Sequence, residues 1–318
     1  MDRAALFFLV FAASLVLFNW YSEGDLCYYR SAYEAVKGWN IYEAFASYRK
    51  QMFSADVFHF FLIWIFSKFI AHDLLMAALN GGLAVVIYSL LTERGVGRGT
   101  SAALILLNYY FWVMAIPAER LKVAIIFVFL FYLVKTVTLR LLFLFFGILS
   151  HASVAILYVP YFSVTRFSSG GARLNRYGVL LIFLIVAFVM GGDVLAKFWW
   201  IADRAHVEFS AILPTLFLGF FALYFSDRGF FAVAPVFVVI ASLIFFVSAD
   251  RLNMLSLLVA LGYVIDSNSG KLVNKLAGFH VRDLILWSVS AVLFIKSLVF
   301  VVNIYSNGTG FGLLENRC

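Results

Sequence analysis

The chain has 318 residues, 64% of them hydrophobic and 13% charged, with a mean hydropathy of +0.98. Globular domains carry about 25% charged and about 45–50% apolar residues, so a soluble fold of this composition could not cover its own surface and the polypeptide belongs in lipid. The net charge of +7 comes without any Lys/Arg run of the kind that binds nucleic acid, and it fits cations that hold topology in cytoplasmic loops.

Asp2-Arg3 precedes an apolar run, Ala4–Trp20. No small-x-small cleavage site follows it, so it reads as a retained first span and not as a signal peptide. A span needs about 20 apolar residues. Further spans are expected at Leu74–Leu91, Ser101–Pro117, Leu121–Val137, Leu141–Phe162, Tyr177–Phe198, Phe209–Phe225, Phe230–Val247, Leu252–Ile265 and Leu284–Ile304. The expected fold is therefore an all-α, polytopic transmembrane bundle of about 10 spans, forming a single integral membrane domain over residues 1–318.

Two stretches resist simple assignment. Val57–Ile70 is apolar but short, and reads either as a short span or as an interfacial helix under the first loop. The interfacial choice keeps Arg94 and Arg98 inside, as the positive-inside tendency prefers. Leu141–Phe162 is interrupted by Gly147, Ser150, His151, Ser153 and Pro160. It reads as a straight span or as a re-entrant hairpin folded at His151; the hairpin keeps Arg166, Arg173 and Arg176 inside. Residues 22–73 then form an external loop with a juxtamembrane helix. Residues 163–178 form a cytoplasmic link whose Ser168-Ser169-Gly170-Gly171 stretch has linker composition.

Several polar features stand out. Glu23-Gly24-Asp25 follows the first span; paired carboxylates can share a divalent cation or act as a base, and the plainer reading is a solvated helix end. The loop beyond it holds Tyr28, Tyr29, Tyr33, Trp39, Tyr42, Phe45 and Tyr48. Their rings suit sugar C–H faces or an aromatic belt at the membrane surface. Glu119-Arg120, with Lys122 beyond, interrupts a long apolar stretch after Pro117; an Arg fork suits phosphate, and a snorkelling turn is the alternative. Asp203-Arg204, Asp227-Arg228 and Asp250-Arg251 sit at helix ends. Arg204 and Arg251 fall on the same face as Arg120, and His206 and Glu208 add a base nearby. His151 lies at a Gly/Ser-rich break, where a packing role competes with a functional one. Cys27 and Cys318 form neither a zinc pattern nor a disulfide framework. No Walker loop, dinucleotide fingerprint or nucleophile elbow is present.

At these residues the chain resembles the EpsG-like and Wzy-type family of bacterial polysaccharide polymerases. Gly24-Asp25-Leu26-Cys27-Tyr28-Tyr29-Arg30-Ser31-Ala32-Tyr33 is similar to the family's Asp-then-spaced-Tyr signature. Arg120-Leu121-Lys122-Val123-Ala124 is similar to its Arg-x-x-x-Ala element, Leu149-Ser150-His151-Ala152-Ser153 to its His-x-Ser element, and Asp250-Arg251-Leu252 to its acid-Arg-Leu element. One departure is that Ser54-Ala55-Asp56-Val57 stands where the family often has Glu-Pro.

The resemblance implies a GT-C-like glycosyltransferase of the bacterial inner membrane, with its active site facing outward. It would join undecaprenyl-diphosphate-linked repeat units of O-antigen or capsule, with a chain-length regulator and a flippase as partners and lipids around it. On that reading the catalytic residues are Asp25, Arg120, His151 and Arg251. Glu23, Tyr28, Tyr29, Tyr33, Glu119, Arg204 and His206 bind substrate. No resident cofactor is expected, and a divalent cation stays open. A flippase for lipid-linked sugars and a glycan-modifying membrane acyltransferase are the competing readings.

Overall fold

The computed structural model describes residues 1–22, 25–52, 56–151, 154–155, 157–158, 212–226, 230–242, 249–266, 275–276 and 279–308. Glu23, Arg204, His206 and the link at 163–178 lie outside the described residues. So does the span expected at Tyr177–Phe198. The described structure is helical, apart from a two-residue antiparallel ladder that pairs β1 (Lys275–Leu276) with β2 (Phe279–His280). The chain divides into two compact units, Met1–Ala152 with Leu286–Cys318, and Ser153–Ile285.

The first unit is organised by an antiparallel pair, α1 (Arg3–Trp20) and α5 (His72–Glu93). Asp2 caps α1, its carboxylate accepting from Ala4 N at 2.7 Å. At one end of the pair Tyr88 Oη donates to Met1 O at 2.7 Å. In the middle Asn80 Nδ2 donates to Ser14 Oγ at 2.9 Å, a polar contact buried where water cannot substitute. The two helices approach closely at Gly81, where a Cβ would lie 2.7 Å from the Phe7 ring and 3.0 Å from Phe7 O. Helix α5 stops on Gly95, whose φ of +73° fits glycine; the following Val96 N reaches back to Leu91 O at 3.0 Å, closing a Schellman motif.

Between α1 and α5 the chain forms helices α2 (Asp25–Ala35), α3 (Ile41–Met52) and α4 (Val57–Phe66). Asn40 starts α3, its Oδ1 accepting from Tyr42 N and Glu43 N at 3.1 and 3.0 Å. Helix α4 has 10 residues, which is about 15 Å of rise against a hydrocarbon core of about 30 Å. It is too short to span as a straight helix. Lys68 Nζ lies 3.9 Å over the Trp64 ring, and Phe69 is largely exposed.

The span expected at Ser101–Pro117 is two helices, α6 (Arg98–Leu106) and α7 (Tyr109–Ala115). Asn108 breaks it: its Oδ1 takes Tyr110 N at 2.9 Å and starts a new helix, a local bond that competes with continuing the old one. Helix α8 (Glu119–Leu133) runs parallel to α5, and α9 (Val137–Ser150) returns antiparallel. Helix α9 ends at His151, whose φ of −166° and ψ of 114° are extended. The break expected at His151 is therefore present; most of the chain between there and residue 162 lies outside the described residues.

In the second unit α10 (Ile212–Phe225), α11 (Phe230–Ser242) and α12 (Ala249–Asp266) pack together. Thr215 and Ser256 share a hydrogen bond of 2.9 Å between α10 and α12. Helix α13 (Val281–Asn307) finishes the described chain and ends beside α1, with Ser22 N on Gly308 O at 3.0 Å and the Trp20 and Tyr305 rings 5.2 Å apart. Serines along these helices donate back to the carbonyl four residues earlier, as Ser256, Ser290 and Ser297 do, which satisfies a hydroxyl without water.

Among the described residues α1, α5 and α13 are long and apolar enough to cross a membrane. The described residues are thus predominantly helical, and the apolar helices mark a membrane-embedded chain. In the first unit the bundle end bearing Met1 also carries Arg3, Arg94, Arg98, Lys135 and Arg140, with Asp2 and Glu93 as the acids. The opposite end holds a cluster of buried polar side chains around the start of α8.

Candidate functional site

Pro117 cannot donate a backbone N–H and disfavours helix at the residue before it, so α7 gives way to α8 across a sharp corner. The corner sets Glu119 in the first turn of α8, where the exposed amides of a helix start favour a carboxylate. Glu119 and Lys122 are completely buried, and Asp56 and His59 are nearly so. Ions removed from water persist only when other groups replace hydration, and Asp56, Glu119 and Lys122 each have such partners.

Arg120 faces α2 and α4. Its Nη1 donates to Asp56 Oδ2 at 2.6 Å and its Nε to Tyr29 Oη at 3.2 Å. The other oxygen of Asp56 lies 3.5 Å from His151 Nδ1. One carboxylate, at the start of α4, thus holds a guanidinium from the start of α8 and lies beside an imidazole from the end of α9. Tyr48 Oη shares a hydrogen bond of 3.0 Å with His59 Nδ1 on the neighbouring side.

Glu119 faces α5. His72 Nε2 lies 2.9 Å from Glu119 Oε1 and 3.2 Å from Oε2, and His59 Nε2 is 3.9 Å from Oε2. The second nitrogen of His72, Nδ1, sits 2.8 Å from Asp73 Oδ1. Asp73 in turn receives a two-pronged pair from Arg30, with Nε to Oδ1 at 3.0 Å and Nη2 to Oδ2 at 2.8 Å. The same guanidinium donates to Tyr21 O and Phe18 O at 2.9 and 2.6 Å. These carbonyls close α1, which would otherwise leave them without an intrahelical donor. Lys122 Nζ donates to Ala115 O at 3.0 Å with the Phe18 ring 5.8 Å away.

The tyrosines of α2 and α3 serve this cluster differently. Tyr33 is buried, its Oη donating to Ile70 O at 2.7 Å and its ring meeting His72 edge-on at 5.2 Å. Burial pushes its phenol up to about 12, with Glu34 and Glu119 adding to the effect. Burial likewise raises Tyr29, against the pull of Arg120, and raises Tyr48 well above its ordinary value. All three are neutral hydrogen-bonding groups at physiological pH. Burial drives His59 down to about 4 despite the nearby Glu119, so it is a neutral imidazole there.

Of the residues singled out from sequence, Arg120, His151, Tyr29, Tyr33 and Glu119 come together in this one cluster. Asp25 opens α2 one turn before Tyr29 and is exposed at the rim. Tyr28 is half exposed on the same helix. Arg251 is the third residue of α12, in the other unit. Sequence reasoning missed Asp56, His59, His72, Asp73 and the bridging role of Arg30. The usable signal was the pair His72-Asp73 at the head of an apolar run, the same pattern that drew attention to Glu119-Arg120. Among the described residues no group of three or more His, Cys, Asp or Glu side chains is arranged to hold a metal ion. Cys27 is disulfide-bonded; the other cysteine, Cys318, lies outside the described residues.

The cluster can offer a held cation beside an imidazole, with an exposed carboxylate one helical turn away. No family model, curated protein or solved structure matches the chain.

Proposed function

We propose that the protein polymerises undecaprenyl-diphosphate-linked oligosaccharide repeat units at the outer face of the bacterial inner membrane. The observation that carries this reading is the meeting of Arg120 and His151 on Asp56. These are two of the elements on which the family resemblance rests, and they are distant in sequence; Asp56 itself stands in the segment that departs from the family's Glu-Pro. The charge distribution supports the orientation: the basic end of the first unit suits the cytoplasm. The Cys27 disulfide supports an oxidising surrounding for α2.

In the proposed reaction an acceptor hydroxyl attacks the anomeric carbon of the donor glycan. The C–O bond to the lipid diphosphate breaks, and the diphosphate leaves with the electron pair. Arg120 stabilises that growing negative charge from a fixed position, which spares the transition state a reorganisation. Its bond to Asp56 keeps the fork aimed in the absence of substrate. Asp25 at the rim accepts the acceptor proton, and His151 positions substrate beside Arg120. Tyr28 and the exposed Trp39 and Tyr42 offer ring faces to sugar.

Purified protein in lipid vesicles, given lipid-linked repeats, tests the reading. Growth of the glycan on its lipid supports it. Movement of the repeat across the bilayer without growth favours a flippase, and acyl transfer to the sugar favours an acyltransferase.

A further inference from the structure

A second arrangement in the cluster has no part in glycosyl transfer by Arg120 and Asp25. His59, Glu119, His72 and Asp73 form a row that starts in the buried interior and ends at a half-exposed carboxylate. Side-chain exposure along it runs 1%, 0%, 7% and 36%. The consecutive separations are 3.9, 2.9 and 2.8 Å. Every member can gain or lose a proton, and three different helices, α4, α8 and α5, carry them.

The geometry points to a proton path that joins buried His59 to the external water through Glu119, His72 and Asp73. A carboxylate only accepts hydrogen bonds, so His72 can bond Glu119 and Asp73 together only with hydrogen on both ring nitrogens. His72 releases its Nδ1 proton to Asp73, and Asp73 hands that proton to water. The neutral ring then turns over about its Cβ–Cγ bond, brings the bare Nδ1 to Glu119 and takes the proton arriving there, which restores hydrogen on both nitrogens. Each transfer breaks one O–H or N–H bond and makes another; no electrons are exchanged, and one proton leaves per pass. The His59–Glu119 step closes to hydrogen-bond length with about 1 Å of side-chain movement.

The surroundings fit a conduit and not an isolated ion pair. Arg30 from α2 grips Asp73 and holds it against His72. Tyr33 from the same helix packs its ring on His72. Tyr29 from α2 and Tyr48 from α3 flank His59, and Tyr48 extends the row inward by one hydroxyl. Asp56 at the head of α4 and Arg120 and Lys122 on α8 also face this group. A site that must shed a proton in a low-dielectric interior has use for such a route, whatever reaction it performs.

The test does not need the reaction. The full chain, labelled with 15N-histidine, is placed in lipid nanodiscs and transferred from H2O to D2O at neutral pH. Exchange of the His59 ring N–H is followed by NMR or infrared, its signal assigned by loss in His59→Gln. In the wild type exchange is expected to be fast. In His72→Gln and, separately, Asp73→Asn it is expected to slow about a hundredfold, the usual scale for losing a proton-transfer partner. A variant that loosened the fold would exchange faster, so damage cannot imitate the expected result. Exchange in both variants at or above the wild-type rate would overturn the path.

Discussion

The contact between Asp56 and Arg120 invites a quantitative test, because the two are 2.6 Å apart with side-chain exposures of only 2% and 17%. At an effective dielectric of about 20 their attraction is on the order of 5 kcal/mol. Desolvation costs several kcal/mol for each ion, so the pair as a whole is worth little over an apolar replacement. Removing one partner is different, since it strands the other charge. Asp56→Ala should therefore destabilise the protein by about 3–5 kcal/mol, and Arg120→Met by a similar amount. The double variant should lose much less than the sum, leaving a coupling energy of about 2 kcal/mol or more. Unfolding of the purified chain in mixed micelles, titrated with denaturing detergent and followed by circular dichroism, gives the three differences. Additive losses, with coupling below about 0.5 kcal/mol, would refute the claim that Asp56 holds Arg120.

Other consequences can be checked with the same preparation. His59 is neutral in the fold down to about pH 4, whereas the unfolded chain protonates it near pH 6.5, so the unfolded state binds more protons between those values. Stability should fall as pH drops through that window, by up to about 3 kcal/mol. The difference between wild type and His59→Gln isolates the effect; a difference that does not change with pH would refute it. Gly81→Ala should cost about 1–3 kcal/mol, because its Cβ would meet Phe7 side chain and backbone, whereas Gly82→Ala, with open space, should not destabilise. Cys27 should react with a maleimide only after reduction, seen as a gel shift; labelling without reductant would contradict the disulfide.

The long spans were legible because a bilayer imposes a length on an apolar run, and α1, α5 and α13 satisfy it. The interruption at Asn108 was not, since averaging hydropathy over a window hides one polar residue. Its signal was local, an amide side chain placed to cap the next turn. Within the site, Glu119, Arg120 and His151 were visible as polar residues inside apolar stretches. Asp56 and His72 were overlooked for a physical reason: each opens a helix, where a polar residue needs no explanation beyond the helix end. Only the packing of α4 and α5 against α8 brings them onto Arg120 and Glu119. The break at His151 could be read from Gly147 and Ser150, but its destination, the carboxylate of Asp56, is a tertiary fact.

The central claim, that Arg120 and its neighbours join lipid-linked repeats, is tested most directly in the host. The gene is deleted, then restored as wild type or as Arg120→Ala, and the surface glycan is run on a gel. The account predicts a ladder with the wild type and a single repeat with the deletion and with Arg120→Ala. A ladder that persists unchanged in the deletion strain would contradict it.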